Sequence, residues 1–187
     1  MIRQAEAKDV QEVMELFKVI LTDMELPIMR QVPWATLKSA LTEAASQKGF
    51  RYAMDSALVK EMDGEIAGFC FGYFNKDMKN SNLILKRVLD KYQLPHFEIF
   101  WDHETLLEEW YLDSVVVKPA FRGKGTGTGL LQAAYEKAAA SGAHIIGLNV
   151  DHRNPKALKL YQQQGFQSVH QITLSGHQYD HMQKKVR

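Results

Sequence analysis

Four glycines alternate in the run F-R-G-K-G-T-G-T-G, at Gly123, Gly125, Gly127 and Gly129, and this run constrains the chain more than any other feature. It follows the apolar Val115, Val116 and Val117 directly and precedes Leu130, Leu131, Ala134, Tyr135 and Ala138, which share one helical face. The expectation is strand, tight turn, helix. Glycine accepts positive φ and lets a ligand approach the backbone, while free N–H groups and the dipole at a helix start favour an anion. With Arg122 and Lys124 adding donors and charge, a diphosphate fits the turn.

Spacing eliminates two other glycine-loop chemistries. A Walker loop needs Gly-Lys-Ser/Thr, but Lys124 is followed by Gly125. The dinucleotide fingerprint G-x-G-x-x-G would require glycine at Thr128 or at Leu130. A strand-to-helix turn without a ligand is the plain structural alternative.

Around this turn the periodicities alternate. After a short strand at residues 2–5, Val10, Val13, Met14, Phe17 and Leu21 recur at helical spacing behind Asp9, a suitable N-cap. A second helix starts near Trp34 and closes at Gly49. Residues 52–61 and 66–75 read as an antiparallel pair joined by Asp63-Gly64. Residues 76–108 depart from the strand rhythm and read as an insertion, helical around Leu83 to Leu89 and aromatic at Phe97, Phe100 and Trp101. Strand character returns at 110–117 and 144–150, each followed by a helix, and a hairpin of 167–174 and 178–184 ends the chain. This order predicts one α/β domain over residues 1–187 with a mixed sheet.

Composition narrows the partner. The 23 basic and 22 acidic side chains nearly cancel to a formal +1, so no overall field draws the protein to nucleic acid or an anionic membrane, and a small partner is expected. A homodimer is left open. Cys70, the one cysteine, lies in an apolar strand and forms no internal disulfide. With no signal pattern at the N-terminus and no stretch of about 18 apolar residues, a cytoplasmic location is expected.

A second group of residues follows the second strand-loop unit. Asn154-Pro155 is a strong helix start, and Tyr161 shares a face with Ala157 and Leu158. Capping and core packing would each explain these residues alone. Together with Arg122, Gly125 and Gly127, which fill an Arg/Gln-x-x-Gly-x-Gly/Ala signature, the run Asn154, Ala157, Leu160, Tyr161, Gly165, Phe166 resembles the GNAT acetyltransferase superfamily over most of the chain. The resemblance implies an acyl-CoA N-acyltransferase fold whose fourth and fifth strands splay, with the helical and aromatic insertion before the fourth. It implies acetyl-CoA as co-substrate, bound by Val115, Val116 and Val117, by amides from Arg122 through Gly123, Lys124, Gly125, Thr126 and Gly127 to Thr128, and beside Asn154. Arg122 is expected to act mainly through its backbone.

The same resemblance places Tyr161 as general acid to the leaving thiolate. An alkyl amine with a pKa near 10.4 is neutral in about one molecule in a few thousand at pH 7, so a base is also needed, directly or through water. Asp113 is the first choice and Glu109 the second, because Glu109, Tyr111, Asp113, Val115 and Val117 alternate onto one strand face. Glu108 would then point to the other face. Solvation or an ion pair is the structural alternative for both acids. His177 and His181 lack matched ligands, and no metal is expected. Phe97, Phe100 and Trp101 either cover the amine or pack the insertion down. The sequence thus points to transfer of acetyl from acetyl-CoA to a primary amine of a small molecule or peptide; a non-catalytic acyl-CoA-binding regulatory domain is the alternative.

Overall fold

The computed structural model describes residues 1–99, 104–106 and 108–186. Among the described residues seven strands, β1 (Ile2–Gln4), β2 (Ala57–Met62), β3 (Glu65–Phe74), β4 (Trp110–Val117), β5 (Ile145–Asp151), β6 (Gln167–Leu174) and β7 (His177–Lys185), form one sheet in the order β1-β2-β3-β4-β5-β7-β6. Only β4 and β5 run parallel among these neighbours; every other pair is antiparallel. The mixed α/β sheet is the one expected.

Helices cover both faces. On one side lie α1 (Val10–Asp23), the short α2 (Ile28–Gln31), α3 (Trp34–Ala45) and α4 (Ser81–Lys91). Their apolar stripes, including Phe17, Leu37, Leu41 and Leu89, meet Phe69, Phe71 and Val116 of the sheet. On the other side α5 (Thr126–Ala140) sets Leu130, Leu131 and Ala134 against Cys70, Leu112, Ile146 and Met182, with α6 (Pro155–Gln163) beside it. Buried from both sides, β3 is apolar almost throughout, as a central strand must be. No helix among the described residues is long and apolar enough to cross a membrane.

Two local expectations change, and the insertion follows one of the two courses expected for it. Asp9 does not cap α1: its Oδ2 accepts the Glu6 amide at 2.7 Å and Arg3 Nη1 at 2.6 Å, because a guanidinium offers the stronger, charge-assisted bond. β2 begins at Ala57 rather than at residue 52, since Tyr52 is drawn into an aromatic cluster with Phe17, Phe50 and Phe71 that holds its segment out of the ladder. The insertion joins the core: Ile84, Leu85, Val88, Leu89, Leu94 and Ile99 are buried in the α1–α3 layer, with Phe97 packed against it. Phe100 and Trp101 lie outside the described residues.

Candidate active site

β4 and β5 are paired only at Trp110–Ile146 and Tyr111–Gly147, and beyond those residues they part. The backbone of β4 is thereby left open along one edge. Lys118 N–H donates to Ala67 C=O at 2.9 Å, so Lys118, Val116 and Ser114 turn their polar groups toward β3. The alternate residues, Val115 and Val117, turn theirs into the gap. Arg122 Nε reaches Val117 C=O at 3.2 Å from the mouth of that gap.

The glycine turn lies at the same mouth. Gly123 and Gly125 have φ of +73° and +76°, a left-handed geometry that a Cβ would strain although nothing stands within 4 Å of where it would be. Thr126 Oγ1 ties the turn down through Phe121 C=O at 3.1 Å. Apart from the turn over residues 122–125, no regular hydrogen bond takes up the amides of residues 123–128 at the start of α5 among the described residues. The expected run began one residue earlier. Arg122 N–H is taken by Pro119 C=O at 3.2 Å, so its amide does not face the turn's mouth unpaired.

Asn154 accepts the Ala157 amide at 3.1 Å, the cap that its sequence position predicts. From α6, Tyr161 packs against the same core as Val115 and Val117, its ring edge-on to Phe166 at 6.0 Å. Its hydroxyl has no hydrogen-bond partner among the described residues. Burial, with a smaller contribution from the Cys70 thiol, pushes the phenol up to about 12.

The two candidate bases have different surroundings. β4 carries a bulge: Gly72 pairs with Leu112 and Phe71 with Ser114, leaving Asp113 as the extra residue. An extra residue reverses the side-chain parity. Tyr111 and Asp113 face the α1 layer, where Tyr73 OH and Tyr52 OH both donate to Asp113 Oδ2, the latter at 3.3 Å. Val115 and Val117 face α5 and α6. The single face expected for Glu109 through Val117 is therefore split by the bulge. Burial raises the Asp113 carboxyl above its ordinary range, and the Tyr73 hydrogen bond and Arg51 charge pull it partly back.

Glu109 precedes the strand and is fully enclosed. Its oxygens accept from Leu106 N–H and Gln183 Nε2, both at 2.8 Å, and contact His181 Nε2 at 2.9 Å. Both oxygens of Glu109 are thus taken by partners among the described residues. Glu108 has φ +67° and lies outside the strand, so the regular alternation assumed for it does not apply. His177 pairs with Glu25 at 3.4 Å, and no group of three metal-ligating side chains occurs among the described residues.

Several residues at the site had no sequence signal. Tyr52, Tyr73 and Arg51 surround Asp113 from β3 and the lead-in to β2. At the mouth, burial raises the Asp23 carboxyl at the end of α1, while Arg122 and Arg153 pull it back. Only the folded sheet brings these segments together.

The Acetyltransferase (GNAT) family model matches residues 21–166. A crystal structure of an acetyltransferase superposes with TM-score 0.90 at 44% identity, covering 100% of both chains. The N-acetyltransferase from Staphylococcus aureus Mu50 does so with TM-score 0.85 at 27% identity, over 98% of this chain and 100% of that one. The uncharacterized N-acetyltransferase YhfO of Bacillus subtilis strain 168 is 40% identical over 58 residues, 31% of this chain and 39% of that protein, so this match spans about two fifths of the relative's length. Matched by the family model over most of its length and by a solved acetyltransferase from end to end, the chain belongs to the GNAT acetyltransferase family.

Proposed function

We propose that the protein is a single-domain N-acetyltransferase that moves acetyl from acetyl-CoA to a primary amine by direct attack. The observation that carries this reading is the gap between β4 and β5, with the polar groups of Val115 and Val117 turned into it and the glycine turn and start of α5 at its mouth. An amide-bearing pantetheine arm would complete the open strand edge. The diphosphate would take the amides at the start of α5, with Arg122 and Lys124 nearby and Asn154 beside the arm.

Attack on the thioester builds negative charge on its oxygen, which a strand-edge N–H facing the gap can stabilise. The thiolate then leaves toward Tyr161, whose phenol stays protonated across the working range and donates to sulfur. Asp113 takes the amine proton, directly or through water. It lies on the opposite sheet face from Val115 and Val117, so amine and thioester approach the gap from different sides. Glu109 has no part in the proton transfer.

Calorimetric titration with acetyl-CoA and CoA, followed by an amine-panel assay for released thiol, tests the proposal. Binding with amine-dependent thiol release supports it. Binding without release from any amine favours an acyl-CoA-binding regulatory domain, and absence of binding overturns the site assignment.

A further inference from the structure

Where β4 and β5 part, a chain of hydrogen bonds, part-buried at Asn149 and buried at His181–Glu109, crosses from one strand to the other. Asn149 lies two residues beyond Gly147, the strand partner of Tyr111, and on the same face. Its Nδ2 donates to Tyr111 OH at 3.0 Å and to the backbone C=O of Glu104 at 2.9 Å. A carbonyl oxygen only accepts, so the amide orientation is fixed and Oδ1 faces His181 Nδ1 at 2.7 Å. His181 must then carry a proton on Nδ1. On its other side Nε2 meets Glu109 Oε2 at 2.9 Å, and the side chains of both residues are at most 1% exposed. That contact also needs a proton, on the ring or on the carboxyl, or two lone pairs would face each other.

The far end of the chain leads toward the proposed base. Tyr111 OH donates to Glu104 Oε2 at 3.3 Å, and its ring stands edge-on to Tyr73 at 6.1 Å. Tyr73 in turn donates to Asp113. We infer that His181 is a positioning residue for the transfer reaction, holding Asn149 and Tyr111 so that the apex of the gap and the tyrosines around Asp113 keep one geometry. His181 itself touches no reacting atom. The inference rests on the acetyltransferase reading above.

The test compares H181Q and Y111F with wild type for kcat, the KM for acetyl-CoA and thermal stability. Turnover should fall about tenfold in each variant while the KM for acetyl-CoA stays within about twofold, because displaced catalytic groups weaken the chemical step more than cofactor binding. A purely structural role would lower Tm and leave turnover of the folded enzyme unchanged. Y111F keeps the ring and carries the test if H181Q does not fold. A long-range proton–nitrogen spectrum of wild type should show Nδ1 of His181 protonated at neutral pH; a bare Nδ1 overturns the chain. Active wild type with both folded variants equally fast overturns the positioning role alone, whereas wild type that binds acetyl-CoA and acetylates no amine overturns the transferase reading and this inference with it.

Discussion

The carboxylate of Glu109 lies over the backbone of Gly147: a Cβ on Gly147 would stand 2.0 Å from Oε2. Glycine is required here by close approach rather than by an unusual φ. The carboxylate has no room to retreat, since its oxygens are held by Leu106, Gln183 and His181. Gly147→Ala should therefore destabilise the protein by about 1–3 kcal/mol, the usual range for overpacking a filled interior. Urea unfolding would measure it. Combining G147A with E109D should recover part of the loss, and unchanged stability in G147A would place Glu109 elsewhere.

Gly125 is required for a different reason. At φ +76° with open space around it, a side chain meets backbone strain instead of a neighbour. Gly125→Val should cost about 1–2 kcal/mol through the left-handed conformation. By tilting the amides at the start of α5, it should also weaken acetyl-CoA binding at least about tenfold, the loss of one charge-assisted hydrogen bond or more. Calorimetry on the folded variant checks this, and wild-type affinity would detach the diphosphate from the turn.

The contrast between Gly125 and Asp113 shows what the sequence can carry. The glycine turn and the Asn154 cap are local: a few adjacent residues dictate their own backbone, so motif and geometry coincide. Asp113 meets Tyr73 and Tyr52 from 40 and 61 residues away, and His181 meets Glu109 from 72. No periodicity encodes such meetings. The bulge at Asp113 was hidden for a subtler reason: an inserted residue leaves the apolar pattern of β4 intact while reversing the faces that follow it. That reversal puts the proposed base Asp113 on the opposite face from Val115 and Val117, which strict alternation places together.

Asp113→Asn should lower kcat by about 10²-fold, the usual contribution of a positioned base. Because burial raises the Asp113 carboxyl, the ascending limb of the wild-type rate profile should lie above the ordinary carboxylate range and be absent from D113N. Stability has the opposite sign. Between the unfolded and the raised folded value the native state binds more protons, so wild-type stability falls as pH rises through that window. The asparagine variant should lack this fall. Acid-to-neutral urea titrations of the two proteins would show it, and parallel curves would mean that Asp113 is not the group responsible.

Tyr161→Phe separates the roles of the two faces. The ring packing with Phe166 is retained, so acetyl-CoA affinity should change by less than about twofold while kcat drops about 10²-fold for want of the proton donor. Since the phenol is pushed up to about 12, wild-type turnover should show no descending limb through the ordinary tyrosine value of 10.0. A descent there that disappears in Y161F would mean that the phenol ionises far more readily than its burial allows. Unchanged kcat in Y161F would instead return Tyr161 to a packing role and leave protonation of the thiolate to water.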